Sequence, residues 1–132
     1  MKEVIFNEGL QKIGHATFSY TSLESVTIPS TVTEIGNYAF DSCSNLREVA
    51  LDNGLQKIGN YAFHNCASLQ SITLPSTVIE ICLYAFEYCS NLREVELNGV
   101  VPQYLHNRST NLIQLILEIF PMISLNNIHK TI

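Results

Sequence analysis

Tyr38-Ala39-Phe40 with Cys43, Tyr61-Ala62-Phe63 with Cys66, and Tyr84-Ala85-Phe86 with Cys89 repeat one phrase at an interval of 23 residues. Leu23, Leu46, Leu69 and Leu92 keep the same beat. A period of this length marks a repeat solenoid, in which a single unit cannot bury its apolar face and must stack on its neighbours. Units therefore start at residues 1, 23, 46, 69 and 92, and residues 1–99 form the solenoid. The first unit is one residue short, because Leu23 follows Met1 by 22, and the loop at Tyr20-Thr21 is where the gap is expected.

Within each unit the skeleton is Leu-x-x-Val/Ile-x-Leu/Ile, a turn, Val/Leu-x-x-Ile-Gly, then x-Tyr-Ala-Phe-x-x-Cys. Val26 and Ile28, Val49 and Leu51, Ile72 and Leu74, and Val95 and Leu97 alternate with polar residues. That period of two predicts a short half-buried strand. Pro29-Ser30 and Pro75-Ser76 end the strand in two units, and Asn7-Glu8-Gly9 and Asp52-Asn53-Gly54 end it in two others. The second half of the unit predicts an extended segment and then a short turn of helix leading to the next strand. Equivalent strands then stack in parallel about 4.8 Å apart, and equivalent side chains form ladders. Units also alternate in kind: Lys/Arg-Glu-Val units open at 1 and 46, and Glu/Gln-Ser-Val/Ile-Thr units open at 23 and 69.

Composition bounds the function. The 132 residues suit one domain, and 46% hydrophobic against 14% charged residues can fill a core. A net charge of −5 argues against a nucleic-acid partner, which needs a basic face. No stretch is apolar for the roughly 18 residues of a membrane span. Met1-Lys2-Glu3-Val4-Ile5-Phe6 lacks the apolar core of a signal peptide. The pattern begins without a cap, which predicts a fragment of a longer array.

The titratable residues argue for packing over chemistry. Cys43, Cys66 and Cys89 fall in one line up an edge, whereas zinc needs four converging ligands, so they read as buried reduced cysteines. An oxidising compartment could still link adjacent rungs. His15, His64, His106 and His129 share no position or short spacing, so no metal site is read from them. There is no Gly-x-Ser-x-Gly elbow, GxGxxG or Walker loop, hence no catalytic residue and no cofactor. Glu48 and Glu94 sit two units apart, about 10 Å, a carboxylate spacing that repeat periodicity explains without a glycosidase.

The motif Leu-x-x-Val/Ile-x-Leu/Ile-Pro followed by Ile-Gly-x-Tyr-Ala-Phe-x-x-Cys resembles the BspA-like class of leucine-rich repeats. The resemblance covers residues 1–99; Cys82 departs from it, standing where other units have Gly14, Gly36 and Gly59. It implies a curved solenoid with a short parallel sheet on its concave face. It also implies binding, adhesion or surface display rather than catalysis, and an extracellular or cell-surface location where a leader precedes the repeats.

The expected docking surface is the concave face, with Glu3, Ser25, Thr27, Glu48, Ser71, Thr73, Glu94 and Glu96 pointing outward. This polar, acidic set suits a basic or polar protein partner in a weak or multivalent contact. The leading reading is a protein-interaction module; an adhesin for host or matrix protein or glycan, and a structural spacer, are the alternatives. Tyr38, Tyr61 and Tyr84 form a second, lateral candidate strip. Open solenoid ends offer a route to self-association.

Residues 100–132 are the degenerate part. Over 109–120, Asn111, Gln114 and Glu118 make one polar stripe on an otherwise apolar stretch, with Ser109 or Thr110 as a cap and Pro121 as a stop. A helix covering the last repeat is expected there; a partner-binding helix is the other reading. Met122–Ile132 shows no clear period.

Overall fold

The structure is a computed structural model that describes residues 2–82, 84–98 and 128–131. Among the described residues, each of the units from 1, 23, 46 and 69 lays down two short strands, one on each wall of the stack, and each strand pairs in parallel with its counterparts in other units. The first wall holds β1 (Glu3–Val4), β3 (Ser25–Ile28), β5 (Glu48–Leu51), β7 (Ser71–Leu74), β9 (Glu94–Asn98) and β10 (Ile128–Thr131). The second wall holds β2 (Lys12–Ile13), β4 (Glu34–Ile35), β6 (Lys57–Ile58) and β8 (Glu80–Ile81), hydrogen-bonded in that order. The register is the repeat register: Val26 faces Val49 and Ile35 faces Ile58.

The alternation expected of the strands is present, with Val26, Ile28, Ile72 and Leu74 inside and Thr27 and Thr73 outside. Phe18, Phe40, Phe63 and Phe86 stack face to face at 5.4, 5.1 and 5.3 Å. An offset aromatic stack needs rings at one height per rung, which the strand spacing supplies. Strand ends follow the two expected chemistries. After Pro29 a turn closes with the Val32 N–H on the Pro29 carbonyl. In the unit from 46 the turn instead uses Gly54 at φ +128, where a Cβ would overlap the Ser30 carbonyl oxygen.

Three features differ from expectation. The return segment contains no helical residue among those described; it is a run of turns. Tyr38, Phe40 and Ser42 donate their N–H groups to Asn60, Ala62 and His64 of the next rung. Ala39, Asp41 and Cys43 donate back to residues three earlier in their own rung. A helical turn would direct all its N–H groups along its own axis and leave none for the neighbour. The alternation is achieved by left-handed residues at matching places: Ala16, Tyr38 and Tyr61 in one column, Tyr20, Ser42, Asn65 and Tyr88 in another. Such a conformation costs a non-glycine residue about 1–2 kcal/mol, which the stacked hydrogen bonds offset.

The first wall is also divided. It forms two three-stranded ladders, β1-β3-β5 and β7-β9-β10, and β5 lies beside β7 without ladder bonds. Arg47 donates to the Glu24 carbonyl and Arg93 to that of Gln70, but no equivalent bond joins Gln70 to Arg47. Val49 at this seam is only half-buried, whereas Val26 and Ile72 are buried. The second wall runs on unbroken, since β6 pairs with β8.

The last difference is in the tail. Ile128 sits opposite Val95 and Lys130 opposite Leu97, so β10 adds a rung 33 residues after its neighbour instead of 23. The helix expected over 109–120 lies outside the described residues. The missing residue of the first unit falls just after Tyr20-Thr21. Thr21 already contacts Cys43 as its column neighbour, and Ser22 alone spans what Ser44-Asn45 spans in the next unit.

The Ile-Gly positions are explained by close approach. Gly14, Gly36 and Gly59 have no positive φ, but a Cβ at Gly59 would meet the Asn37 Oδ1 at 2.6 Å and the Asn37 nitrogen at 2.9 Å. At Gly14 it would meet only Thr17 Oγ1, at 3.4 Å. Gly59→Ala is therefore expected to lose about 1–3 kcal/mol of stability by overpacking, and Gly14→Ala to change it little; denaturant midpoints compare the two. Phe63→Ala removes the middle of the aromatic stack and should cost about 3–5 kcal/mol by the same measurement.

Candidate functional site

The outward side of the first wall is a polar sheet face built one rung at a time. Glu3 stands beside Ser25 and Ser25 beside Glu48, and Ser71 stands beside Glu94. One residue pair further along, Thr27 meets Ala50, and Thr73 meets Glu96. Alternation places all eight expected residues on this side of their strands, because Val4, Val26, Val49, Ile72 and Val95 between them point inward. Glu3, Thr27, Glu48, Ser71, Thr73 and Glu94 are exposed, and Ser25 and Glu96 are partly covered. A groove of about 380 Å³ is lined by Glu3, Ser25, Thr27, Glu48, Ser71 and Thr73, with Arg47 at its border. It lies across the seam between β5 and β7. Glu94 joins Gln70, Ser71 and Arg93 in an adjoining depression.

Sequence reasoning missed the border. The residue before each strand reads Lys2, Glu24, Arg47, Gln70, Arg93. Glu24 takes Lys2 at 3.9 Å on one side and Arg47 at 2.7 Å on the other. An acidic face edged with cations at Lys2, Arg47 and Arg93 results. The 23-residue period at that position was the available signal.

A second charge column runs up the other wall. Lys12 meets Glu34 at 3.2 Å, Glu34 meets Lys57 at 3.6 Å, and Lys57 meets Glu80 at 3.8 Å. The alternation between two kinds of unit thus places opposite charges on successive rungs. Hydrogen bonding to Lys12 holds the Glu34 carboxyl below its ordinary range, and the charges of Lys12 and Lys57 act in the same direction against a burial effect that raises it.

The lateral strip is an aromatic stack. Tyr38, Tyr61 and Tyr84 lie at 5.0 and 5.3 Å, within 12° of parallel. Both faces of Tyr61 are occupied, by Tyr38 and Tyr84, so the middle of this strip offers a ring edge and a hydroxyl group. Beside it the half-buried His64 holds Asp41 through Nδ1 at 2.8 Å, and its ring meets Tyr61 and Tyr88 edge-on. Asp41 is the buried polar side chain of the described core. The Ser42 hydroxyl also donates to Asp41 Oδ1, at 3.1 Å. Since that hydroxyl rests on the carboxylate and not on the imidazole, the three residues do not form an activated nucleophile. Their arrangement satisfies a buried carboxylate.

The cysteines have an equally structural role. Cys43, Cys66 and Cys89 donate to the carbonyls of Phe18, Phe40 and Phe63 on the preceding rung, at 3.1, 3.2 and 3.0 Å. All four cysteines are free thiols. Burial pushes the Cys43 and Cys82 thiols up, and Cys66 is pushed well up by its contact with the Cys89 thiol and then by burial. Cys43, Cys66 and Cys89 are buried and act as small packing groups that donate along the stack. Among the described residues no three His, Cys, Asp or Glu side chains converge as a metal site, and no helix is long and apolar enough to cross a membrane.

Comparison with known proteins places this geometry. A family model described as a BspA type leucine rich repeat region matches residues 1–130 in 6 copies, running past residue 99 into the tail. No curated protein matches the chain. Among solved structures, a leucine rich cell surface protein from Faecalibacterium prausnitzii A2-165 shares the fold with a TM-score of 0.78 at 22% identity, over 99% of this chain and 32% of that one. The pneumococcal vaccine antigen PcpA gives a TM-score of 0.65 at 29% identity, over 69% of this chain and 24% of its own. A leucine-rich repeat protein from Bacteroides capillosus ATCC 29799 gives 0.63 at 29% identity, over 71% of this chain and 73% of its own. The chain thus spans about a third and a quarter of the length of the first two.

The charge column makes stability depend on acid. A carboxylate held below its ordinary pKa of 4.5 contributes stability that is present above that value and lost as pH falls through the lower folded value. Replacing Glu34 by Gln should therefore flatten the acid limb of a melting-temperature against pH curve, and leave the slope near neutral pH unchanged.

Proposed function

The chain belongs to the BspA-type leucine-rich repeat family, and on that premise we propose that it is a protein-interaction module, part of a longer array, whose concave strand wall docks a basic or polar partner. The observation that carries this reading is the row of Glu3, Ser25, Thr27, Glu48, Ser71, Thr73, Glu94 and Glu96 outside a buried hydrophobic wall. A sheet held in register by its neighbours presents these groups at fixed spacing, so a partner meets a preorganised surface. Four carboxylates with few aromatic neighbours favour electrostatic steering over a single apolar anchor. Arg47 at the border of the groove and Arg93 in the adjoining depression would set the orientation of a partner that carries both charges. The tail after residue 99, with the helix expected over 109–120, closes the last repeat in this reading.

Display on a cell surface is the setting proposed for this docking, in keeping with the likeness to the pneumococcal vaccine antigen PcpA. Contact with a host or matrix protein is the form of docking that setting supports.

A photo-cross-linking residue at Thr73 is expected to capture a protein that the same group at Glu8, off the sheet, does not. With that partner purified, Glu48→Lys combined with Glu94→Lys should lower the association rate about tenfold and flatten its salt dependence, with stability changed by less than about 0.5 kcal/mol. Glu8→Lys with Glu87→Lys, matched in charge, should do neither. Equal behaviour of the two pairs would move the docking surface to the stack of Tyr38, Tyr61 and Tyr84.

A further inference from the structure

The carboxylates of the first wall fall on every second rung. Glu3, Glu48 and Glu94 share one column of the sheet face, and Ser25 and Ser71 hold that column on the rungs between them. Two strand spacings put successive carboxylates about 9.6 Å apart along the stack. Glu24, Glu34 and Glu80, at the border and on the second wall, are held in ion pairs. Glu48 and Glu94 are exposed and enter no ion pair among the described residues. Arg47, the cation next to Glu48 in sequence, is engaged instead with Glu24 at 2.7 Å.

The next column along the strands has a different character. Thr27 is the register partner of Ala50, and Thr73 follows on the rung after. Two threonines flanking an alanine make a shallow, weakly apolar track beside the carboxylates, and both columns line the groove of about 380 Å³. No aromatic side chain lines that groove among the described residues, so charge, and the interval at which charge recurs, is what the surface reads. The interval selects a backbone. Side chains on one side of an extended strand recur about every 6.7 Å. In an α-helix the seventh residue returns near the same side after about 10.5 Å. A polyproline II chain, with three residues per turn and a rise of about 3.1 Å, brings every third residue back after about 9.3 Å.

We propose that the first wall docks a proline-rich segment of its partner in the polyproline II conformation, lying along the stack with lysine at every third residue. One lysine would meet Glu48 and the lysine one turn on would meet Glu94. A lysine ammonium is a compact charge with three donors, and the hydroxyls of Ser25 and Ser71 on the adjacent rungs supply acceptors beside each carboxylate. The prolines between the lysines would lie over the track of Thr27, Ala50 and Thr73. Proline fixes the backbone angle in advance, so such a segment loses little freedom on docking. Its backbone has no internal hydrogen bonds to give up. The inference rests on the docking face proposed above, and adds the conformation and charge spacing of the segment that the face takes.

The test is a fluorescence-anisotropy titration of the full chain against three labelled peptides made of lysine and proline alone. Each carries four lysines, placed at every second, every third or every fourth residue. The every-third peptide should bind saturably and about tenfold tighter than either of the others, with affinity falling as salt rises. General attraction to an acidic surface would instead rank the peptides by charge density and favour the every-second peptide. Glu48→Gln with Glu94→Gln, checked for an intact fold by circular dichroism, should remove the advantage of the every-third peptide. A ranking by charge density that this double variant abolishes overturns the proposed spacing and leaves the docking face standing. Binding that the double variant leaves unchanged overturns both. Absence of saturable binding by the every-third peptide at low salt also overturns the proposal.

Discussion

Hydrogen bonding between successive rungs at the spacing of a β-sheet is the interaction on which everything else here depends. Once Val26 is opposite Val49 and Ile35 opposite Ile58, every other position in the unit is brought over its counterpart as well. Identical side chains then meet identical side chains, and only those that stack well can occupy the column. Phenylalanine and tyrosine do so by offset ring stacking, cysteine by donating its thiol to a carbonyl one rung back, and asparagine by bridging, as Asn37 does to the Asn60 N–H at 2.8 Å. Charged residues cannot stack on themselves without repulsion. That restriction gives a physical reason for units of two kinds: Lys12, Glu34, Lys57 and Glu80 alternate because like charges one rung apart would destabilise both walls.

The same requirement accounts for the strained turns. A short connection must reverse the chain and still aim half of its N–H groups along the stack. Left-handed residues at Tyr38 and Ser42, and at Tyr61 and Asn65, accomplish this four residues apart. Tyrosine is a poor choice for that conformation in isolation. In the column it gains a ring neighbour above and below, and the stacking outweighs the backbone cost. Strain and ladder are therefore linked, and a rung removed from the stack would keep the first and lose the second.

The wall that carries the polar face is the less uniform of the two. The second wall pairs without interruption from β2 to β8, whereas the first divides between β5 and β7 and carries its groove at that division. The half-buried Val49 and the small Ala50 lie there, with Arg47 at the border. The polar face is thus centred on the least tightly bonded step of the first wall. In the lateral tyrosine stack, by contrast, the central Tyr61 has committed both ring faces to packing against Tyr38 and Tyr84.

Repetition made much of this architecture readable from the residues alone. The 23-residue interval determined the solenoid, the alternation of Val26 and Ile28 with Ser25 and Thr27 determined which side of the strand faces out, and the equal spacing of Cys43, Cys66 and Cys89 placed them in one line up the stack. A periodic signal of that kind sums the same local preference over several units, so chance agreement is small. The left-handed conformation of Tyr38, the pairing of Asp41 with His64, the seam between β5 and β7 and the return of Ile128 to the stack were decided by the tertiary structure. Asp41 and His64 occupy one column but differ in type, so no repeat pattern marks them as partners. Tyrosine has no intrinsic preference for positive φ. The interval from Val95 to Ile128 breaks the period. Each of these depends on contacts between rungs, which a single unit does not contain.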